Sequence, residues 1–170
     1  MQPTPFALYE KYNYEQVCQL LEWPQNEVPL NIGGYKYHRD TKTYPLFINY
    51  HKDEGIQDSI KYEDRFETPT LLKAISKNNR SFTSDDVTTA FDADKLGVAM
   101  HLFMRKNKDD EESKEFYYLG SIHSTGRENA EEIMMASDTK AVELEYRLDI
   151  PVRDDIYDYL LNGSVRLYND

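Results

Sequence analysis

The fold class is decided by two stretches, Gly97-Val98-Ala99-Met100-His101-Leu102-Phe103-Met104-Arg105 and Glu115-Phe116-Tyr117-Tyr118-Leu119-Gly120-Ser121-Ile122-His123. The first is nearly apolar along its length, which is typical of a strand buried on both faces in the middle of a sheet. The charged segment 107–114 between them is short enough for a hairpin loop. We therefore expect the second stretch to pair antiparallel with the first.

Shorter patterns predict the remaining elements. Strands are expected at 35–39 and 44–50, as a hairpin, and at 141–148. Helices are expected from Asn13, with Asn13 and Gln16 as a capping box, to Trp23, and over the ranges 68–78, 84–95 and 151–161. In the 68–78 helix, Thr68 is the expected N-cap and Pro69 the first helical residue. Together these elements predict one strand-rich α+β domain over 1–170, with a mainly antiparallel sheet or partly open barrel and peripheral helices.

Charge is unevenly distributed along the chain. The 170 residues carry a formal net charge of −11. Residues 34–80 hold nine Lys or Arg against seven Asp or Glu, a formal charge of +2, whereas 81–170 hold ten against twenty. The net negative charge argues against a protein that binds nucleic acid phosphates over its whole surface. The locally basic segment is compatible either with one specific anionic ligand or with an ordinary solvated surface.

Composition predicts a cytoplasmic protein without a membrane anchor. The single cysteine, Cys18, has no internal disulfide partner, and we expect it to be buried on the apolar face of the first helix. No run approaches the roughly 18 apolar residues that span a bilayer. The N-terminus also lacks the order of a signal peptide.

No familiar catalytic or metal motif is present in the sequence. The four histidines, at 38, 51, 101 and 123, do not form a His-x-x-x-His pair, and there is no Cys-x-x-Cys pair. Glu143, Glu145 and Arg147 share one face of a strand, but cross-strand ion pairs explain them better than a nuclease centre does. We expect a non-catalytic protein without a cofactor.

The stretch Tyr62-Glu63-Asp64-Arg65-Phe66 combines rings, carboxylates and a guanidinium. Burying such groups is costly unless each is paired, so the stretch is either a binding site or an ion-pair clamp that joins the preceding hairpin to the following helix. Many of the 14 tyrosines lie in or beside 34–80 and 116–118, next to lysines and arginines. Tyrosine rings can stack on bases while cations hold phosphates, although strand tyrosines are also ordinary core residues.

Several motifs form a specific combination along the chain. They are Tyr14 with Val17-Cys18-Gln19-Leu20-Leu21-Glu22-Trp23, Asn31-Ile32-Gly33-Gly34-Tyr35, Phe47-Ile48-Asn49-Tyr50-His51-Lys52, Tyr62-Glu63-Asp64-Arg65-Phe66, Ser76-Lys77 with Arg80, Leu102-Phe103-Met104-Arg105-Lys106 and Phe116-Tyr117-Tyr118-Leu119-Gly120. Together they resemble the domain of unknown function 3427 family over about 6–160. That family resembles a C-terminal module of bacterial proteins that also carry a phospholipase-D-like nuclease and a superfamily 2 helicase. The Phe-Tyr-Tyr-Leu-Gly strand is also similar to one in PUA- or SRA-like barrels.

The resemblance implies a DNA-recognition accessory module of a restriction or phage-defence helicase-nuclease system, with that partner in cis or in trans. The chain itself has neither helicase nor nuclease motifs, so we expect an accessory domain, natural or excised. Modified or extruded bases are the expected ligand. Tyr50 and Tyr62 would stack on bases. Phosphates would be contacted by Lys52, Lys61, Arg65, Lys77 and Arg80, and base edges by Asn49, Asp64 and Ser76.

A second interpretation is a protein-interaction module that docks on the helicase-nuclease or on a phage protein. Its contact surface would be the acidic 107–115 loop and the C-terminal half of the chain. A cryptic hydrolase is a third.

Overall fold

The chain folds around one open, mixed sheet. The computed structural model describes residues 4–29, 32, 34–50, 64–106, 114–135 and 138–162. Within these residues the strands are β1 (Lys11–Tyr12), β2 (Thr43–Asn49), β3 (Arg65–Thr68), β4 (Leu71–Ile75), β5 (Ala99–Arg105), β6 (Phe116–Ser124), β7 (Glu131–Met134) and β8 (Lys140–Leu148).

Short helices lie between and beside the strands. They are α1 (Tyr14–Leu20), α2 (Asp85–Phe91), α3 (Ala93–Leu96) and α4 (Asp154–Asn162), with 3-10 turns at Gln25–Glu27 and Arg127–Asn129. None of the helices in the described ranges is long and apolar enough to cross a membrane.

The strand order is β2-β5-β6-β8-β4-β3, with β1 added to β6 and β7 added to β8. Among the strand pairs that the described residues form, only β2–β5 is parallel. The predicted class, a strand-rich α+β fold with a mainly antiparallel, open sheet and peripheral helices, is confirmed. The predicted antiparallel pairing of the two deciding stretches is also confirmed, since His101 lies opposite Ser121 and Met104 opposite Tyr117.

β6 joins the two halves of the sheet. Its first part pairs with β5, and its last residues, Ile122 to Ser124, pair with β8. The register with β5 shifts at Leu119, because Leu102 faces Gly120 while Phe103 faces Tyr118. Gly120 has φ +105°, a conformation that L residues with a side chain rarely adopt. The Leu-Gly pair is therefore a β-bulge that redirects the strand from one half-sheet to the other.

Two hydrophobic cores lie on opposite faces of β5, as alternation along a strand requires. Leu102 and Met104 enter the larger core, between the sheet and α2 and α4. Phe103 enters a smaller, aromatic core under α1, where its ring stacks on that of Phe47 at 5.0 Å. Phe103, Leu102 and Met104 are all fully buried, which confirms the prediction of a central strand.

The first helix forms as its sequence predicts. Asn13 Oδ1 accepts a hydrogen bond from the Gln16 amide at 2.8 Å, and Gln16 Oε1 accepts one from the Asn13 amide at 2.8 Å. This capping box satisfies two amides at the start of α1. Cys18 faces inward and is fully buried, also as predicted.

Two predicted elements are wrong. The segment predicted as a helix from Thr68 is the turn and second strand of the β3–β4 hairpin. Thr-Pro-Thr suits a tight turn as well as a helix start, and the pairing of β4 with β8, from Leu71–Arg147 to Ile75–Glu143, selects the strand. The predicted strand 35–39 makes only two isolated antiparallel bridges to β2, at Tyr35 and His38.

Candidate functional site

The main cleft, of about 520 Å³, opens between three segments that are far apart in sequence. One is the extended chain before β2, the second is the loop after β4, and the third is the first half of α2. Its lining residues are Tyr35, Lys36, Tyr37, Arg39, Lys77, Asn79, Arg80, Ser84, Asp85, Asp86 and Thr89. Four of these are cations and two are anions, in a protein whose formal net charge is −11.

Asp86 holds the wall of the main cleft together. Its Oδ2 accepts hydrogen bonds from the Tyr35 hydroxyl at 2.7 Å and from Arg80 Nε at 2.8 Å. The Tyr35 hydroxyl also accepts the Lys77 amide at 3.0 Å. Tyr35 is therefore fixed between α2 and the 77–80 loop, and burial raises the pKa of its hydroxyl.

The other Asp86 carboxylate oxygen, Oδ1, is buried and has no hydrogen-bond partner within the described part of the chain. Beside it lies an interior cavity of about 20 Å³, which Tyr35 and Asp86 line together with core residues. A cavity of that size accommodates about one water molecule, and such a water would donate to Oδ1.

Tyrosine rings form the floor of the main cleft. Tyr35 and Tyr37 are partly exposed, and each packs against the fully buried Tyr44 with ring centroids 5.6 Å apart. The Tyr44 hydroxyl donates to the Asp86 carbonyl at 2.8 Å, which ties this floor to α2. The two outer rings are thus supported from below and present partly open faces.

Cations lie over the same rings. Lys77 Nζ is 4.8 Å from the centre of the Tyr35 ring, and the Arg39 guanidinium carbon is 5.6 Å from that of Tyr37. These are cation–π contacts, in which the aromatic face attracts the positive charge. Among the described residues, no carboxylate forms an ion pair with Lys36, Arg39 or Lys77.

The pKa of Lys77 is lowered, first by partial burial and next by repulsion from Arg80. A lowered lysine pKa means that, without a ligand, the surroundings do not offset the cost of holding the charged ammonium group there. An anionic ligand in the main cleft would supply that compensation.

Three of the predicted site residues lie at or next to this cleft. Lys77 and Arg80 line it. Ser76 is buried just behind it, and its hydroxyl donates to the Lys77 carbonyl at 2.9 Å while accepting the Val142 amide at 2.9 Å. That hydroxyl already binds two backbone groups, so Ser76 positions the 77–80 loop.

Four other predicted residues lie outside the main cleft, near the ends of β2 and β3. Asn49 Oδ1 accepts a hydrogen bond from Arg105 Nε at 2.6 Å. The Tyr50 hydroxyl accepts the Phe66 amide at 3.0 Å. Asp64 Oδ1 accepts the Ile75 amide at 2.8 Å, which ties the start of β3 to β4.

Arg65, the fourth, binds the buried Glu143 of β8 at 2.8 Å and Glu67 at 3.2 Å. These contacts are those of an ion-pair clamp. The clamp joins β3 to β8, however, and does not join the hairpin to a following helix as the sequence suggested. The neighbouring Lys73–Glu145 pair, at 3.6 Å, supports the interpretation of Glu143 and Glu145 as cross-strand ion-pair partners.

The remaining predicted site residues, Lys52, Lys61 and Tyr62, lie outside the described residues, as does most of the acidic 107–115 loop. The residues that sequence reasoning missed as site residues are Lys36, Arg39, Tyr35, Tyr37 and Asp86. The alternation of aromatic and basic residues in 35–39 was the available signal. Asp86 gave none, since it lies in an acidic helix start of ordinary appearance.

The main cleft contains groups that can bind a ligand. Partly open tyrosine faces can stack on planar ligands, and the cations that pair with no carboxylate among the described residues can contact anions. In the described ranges, no group of three or more His, Cys, Asp or Glu side chains is arranged to hold a metal ion.

Solved structures with the same fold include SRA domains. The SUVH5 SRA domain in a complex with hemi-methylated CG DNA matches with a TM-score of 0.54 and 10% identity, over 87% of this chain and 92% of that chain. The DNA modification-dependent restriction endonuclease AspBHI matches with a TM-score of 0.51 and 13% identity, over 91% and 80%. KRYPTONITE in complex with mCHG DNA and SAH matches with a TM-score of 0.52 and 8% identity, over 86% and 32%.

At these identities the similarity concerns the fold, which is SRA-like, as the Phe-Tyr-Tyr-Leu-Gly strand suggested. No curated protein sequence matches the chain. A family model does match, from Phe6 to Leu160, and its family is described as Domain of unknown function (DUF3427). This match covers most of the chain, and the protein belongs to that family.

Proposed function

We propose that this protein is a DNA-recognition module that binds modified or extruded bases through the main cleft. The observation that carries the proposal is the collection of Tyr35, Tyr37, Lys36, Arg39 and Lys77 in one cleft of an otherwise acidic protein. The SRA-like fold supports it, because similar structures include complexes with methylated DNA.

Each group in the main cleft has a role in this proposal. Tyr35 and Tyr37 supply stacking faces for bases, which is worth about 1–3 kcal/mol for each base. Lys36, Arg39 and Lys77 contact phosphates. Arg80 is held by Asp86 and the Asn78 carbonyl, so it orients the wall of the cleft and adds positive potential.

The acidic remainder of the surface has a role as well. It repels DNA that is not seated in the cleft, which limits non-specific binding. Affinity should therefore depend on a few phosphate contacts and weaken moderately as salt rises.

A fluorescence anisotropy titration tests the proposal. The labelled probes are a plain duplex, the same duplex with methylated cytosines, and a single strand, each at low and at raised salt. We expect binding that weakens with salt and is strongest for the modified or single-stranded probe. Failure to bind any of the three probes at low salt would contradict the proposal.

For its cellular role, we propose an accessory part of a restriction or phage-defence system that contains a helicase and a nuclease. Support comes from the similarity to a modification-dependent restriction endonuclease and from the family resemblance. Affinity capture from a bacterium that encodes the protein should recover a helicase-nuclease, unless both are parts of one longer chain. The role would be contradicted if no helicase-nuclease were captured and none were encoded in the same longer chain.

A further inference from the structure

Residues 36–39, here called the shared segment, line two clefts. Besides the main cleft there is a second cleft of about 380 Å³, lined by Glu27, Lys36, Tyr37, His38, Arg39 and Asp40. Lys36, Tyr37 and Arg39 belong to both clefts. The two clefts are therefore adjacent, and one ligand can occupy both.

His38 fixes the shared segment from below. The imidazole is buried, with Nε2 at 2.6 Å from Glu27 Oε1 and Nδ1 at 2.8 Å from Thr41 Oγ1. It also stacks on the Trp23 ring at 4.6 Å. The hydrogen-bonded chain continues through Thr43 Oγ1 to Trp23 Nε1, at 2.7 and 2.8 Å.

The side-chain network compensates for weak backbone pairing. The shared segment and the preceding Tyr35 form only isolated bridges to β2, at His38 and Tyr35, in place of a regular strand. His38 ties the segment to Glu27 and, through Thr41, to Thr43 at the start of β2. The backbone that carries Lys36 and Arg39 is thus anchored before a ligand arrives, which reduces the entropy cost of binding.

The dimensions and charges of the clefts favour a ligand longer than one nucleotide. Both volumes lie in the roughly 300–1,000 Å³ range of sites that enclose small organic molecules, so each cleft can receive one nucleoside. In a dinucleotide the connecting phosphate lies between the two nucleosides. Lys36 and Arg39 stand at that position, exposed, and pair with no carboxylate in the described part of the chain.

We infer that one DNA strand crosses the shared segment, with a nucleoside in each cleft and the connecting phosphate on Lys36 and Arg39. This inference rests on the proposed DNA recognition. It adds a second subsite, so that a dinucleotide is the shortest ligand that fills both clefts.

Nuclear magnetic resonance on the full chain tests the inference. The amides of Ser84 and Thr89 report on the main cleft, and those of Glu27 and Asp40 on the second cleft. The ligands are a mononucleotide, a dinucleotide, a trinucleotide and a short duplex, each with plain or methylated cytosine. We expect the bound oligonucleotides to shift both pairs of amides with one common midpoint.

The outcomes separate the two proposals. If DNA shifts the main-cleft pair but never Glu27 and Asp40, the second subsite is wrong while DNA recognition stands. If no DNA of any kind shifts either pair, both proposals are wrong.

An alanine substitution checks the position of the connecting phosphate. Arg39→Ala should weaken dinucleotide binding by about tenfold, because the contact with the connecting phosphate is lost, and should weaken mononucleotide binding by a smaller factor. Arg147→Ala is the matched control, since Arg147 is exposed on β8 and lines neither cleft. Melting temperatures establish that both variants fold. Equal losses for the mononucleotide and the dinucleotide would overturn the inference.

Discussion

Arg65 is the residue at which a site and a structural clamp can be told apart. Its guanidinium is partly exposed, but Glu143, which it binds, has only 7% of its side chain accessible to solvent. The hydrogen bond to Glu143 is the main reason why the pKa of Arg65 is raised. Removing the guanidinium would leave the buried Glu143 carboxylate with less positive charge nearby to offset its burial.

We therefore predict that Arg65→Ala lowers the free energy of unfolding by roughly 1–3 kcal/mol, a range reduced for the exposure of the arginine. The double variant Arg65→Met/Glu143→Leu should recover most of the loss, because it removes both charges. Chemical denaturation measures both values. A stable Arg65→Ala protein with strongly reduced DNA affinity would instead identify Arg65 as a binding residue.

Substitutions at Tyr35 can separate what its ring and its hydroxyl each contribute to stability and to DNA affinity. In Tyr35→Phe the ring stays, but the Lys77 amide loses its hydrogen bond to the hydroxyl and Asp86 Oδ2 loses the one from Tyr35 while it keeps the one from Arg80. Stability should therefore fall by about 1–3 kcal/mol. If the ring stacks on a base, Tyr35→Phe should keep most of the DNA affinity, whereas Tyr35→Leu should lose about 1–3 kcal/mol of it. Anisotropy titrations on folded variants test this, and similar affinities for Phe and Leu would exclude stacking at Tyr35.

At the scale of elements, β6 determines how the sheet is assembled. Gly120→Ala should lower the free energy of unfolding by about 1–2 kcal/mol, because its φ of +105° is unfavourable for any residue with a Cβ. A new Cβ would meet only Leu8 Cδ1, at 3.5 Å, so crowding adds little. Valine should cost more, since branching narrows the allowed backbone further. Unchanged stability in the alanine variant would mean that the bulge is not needed.

The success of sequence-based prediction differed between elements for a physical reason. β5 and β6 carry long, largely apolar runs and β8 carries alternating apolar and charged residues, patterns typical of buried strands, and all three strands were predicted correctly. The β3–β4 hairpin was missed because Thr68-Pro69-Thr70 satisfies both a helix start and a turn. The deciding interaction, between β4 and β8, joins residues about seventy positions apart, and no local pattern reports it.

The candidate site shows the same limit. The basic segment 34–80 contains most of the residues that line the main cleft, and Lys77 and Arg80, predicted as phosphate contacts, are among them; their role stays a prediction. Asn49 and Arg65 come from the same region but make structural contacts elsewhere. Only the packing of α2 against the 35–39 segment brings Asp86 to Tyr35, and the sequence contains no local sign of that contact.

At the scale of the whole molecule, the buried His101 makes the free energy of unfolding depend on pH. Burial lowers the pKa of His101 from 6.5 to about 4, and its ring nitrogen Nδ1 lies 3.2 Å from the Tyr118 hydroxyl. Between these two values the unfolded chain takes up a proton that the folded protein does not. The free energy of unfolding should therefore fall by roughly 3 kcal/mol as pH drops through this range.

His101→Asn keeps a polar group near Tyr118 but does not titrate, so it should have a shallower acid limb in a plot of unfolding free energy against pH. Parallel acid limbs for the variant and the native protein would show that other groups control acid unfolding.

His123 should act in the opposite direction. It lies between Asp94 at 2.7 Å and Asp149 at 3.0 Å, and these carboxylates raise its pKa despite the opposing effect of partial burial. The stability it contributes is present below the unfolded pKa of 6.5 and is lost as pH rises through the higher folded value. His123→Gln should remove that alkaline loss, and an unchanged profile between neutral and mildly alkaline pH would contradict the assignment.

The central claim is that an acidic protein binds DNA through one basic, tyrosine-lined cleft. Its most direct test is the affinity of native protein, Lys77→Ala and Lys95→Ala for one methylated duplex across a series of salt concentrations. Lys95 is the matched control, exposed on α3 and outside both clefts. We predict that Lys77→Ala weakens binding by about tenfold at low salt and lowers the salt slope by about one, while Lys95→Ala changes neither. Equal affinities and slopes for all three proteins would contradict the claim.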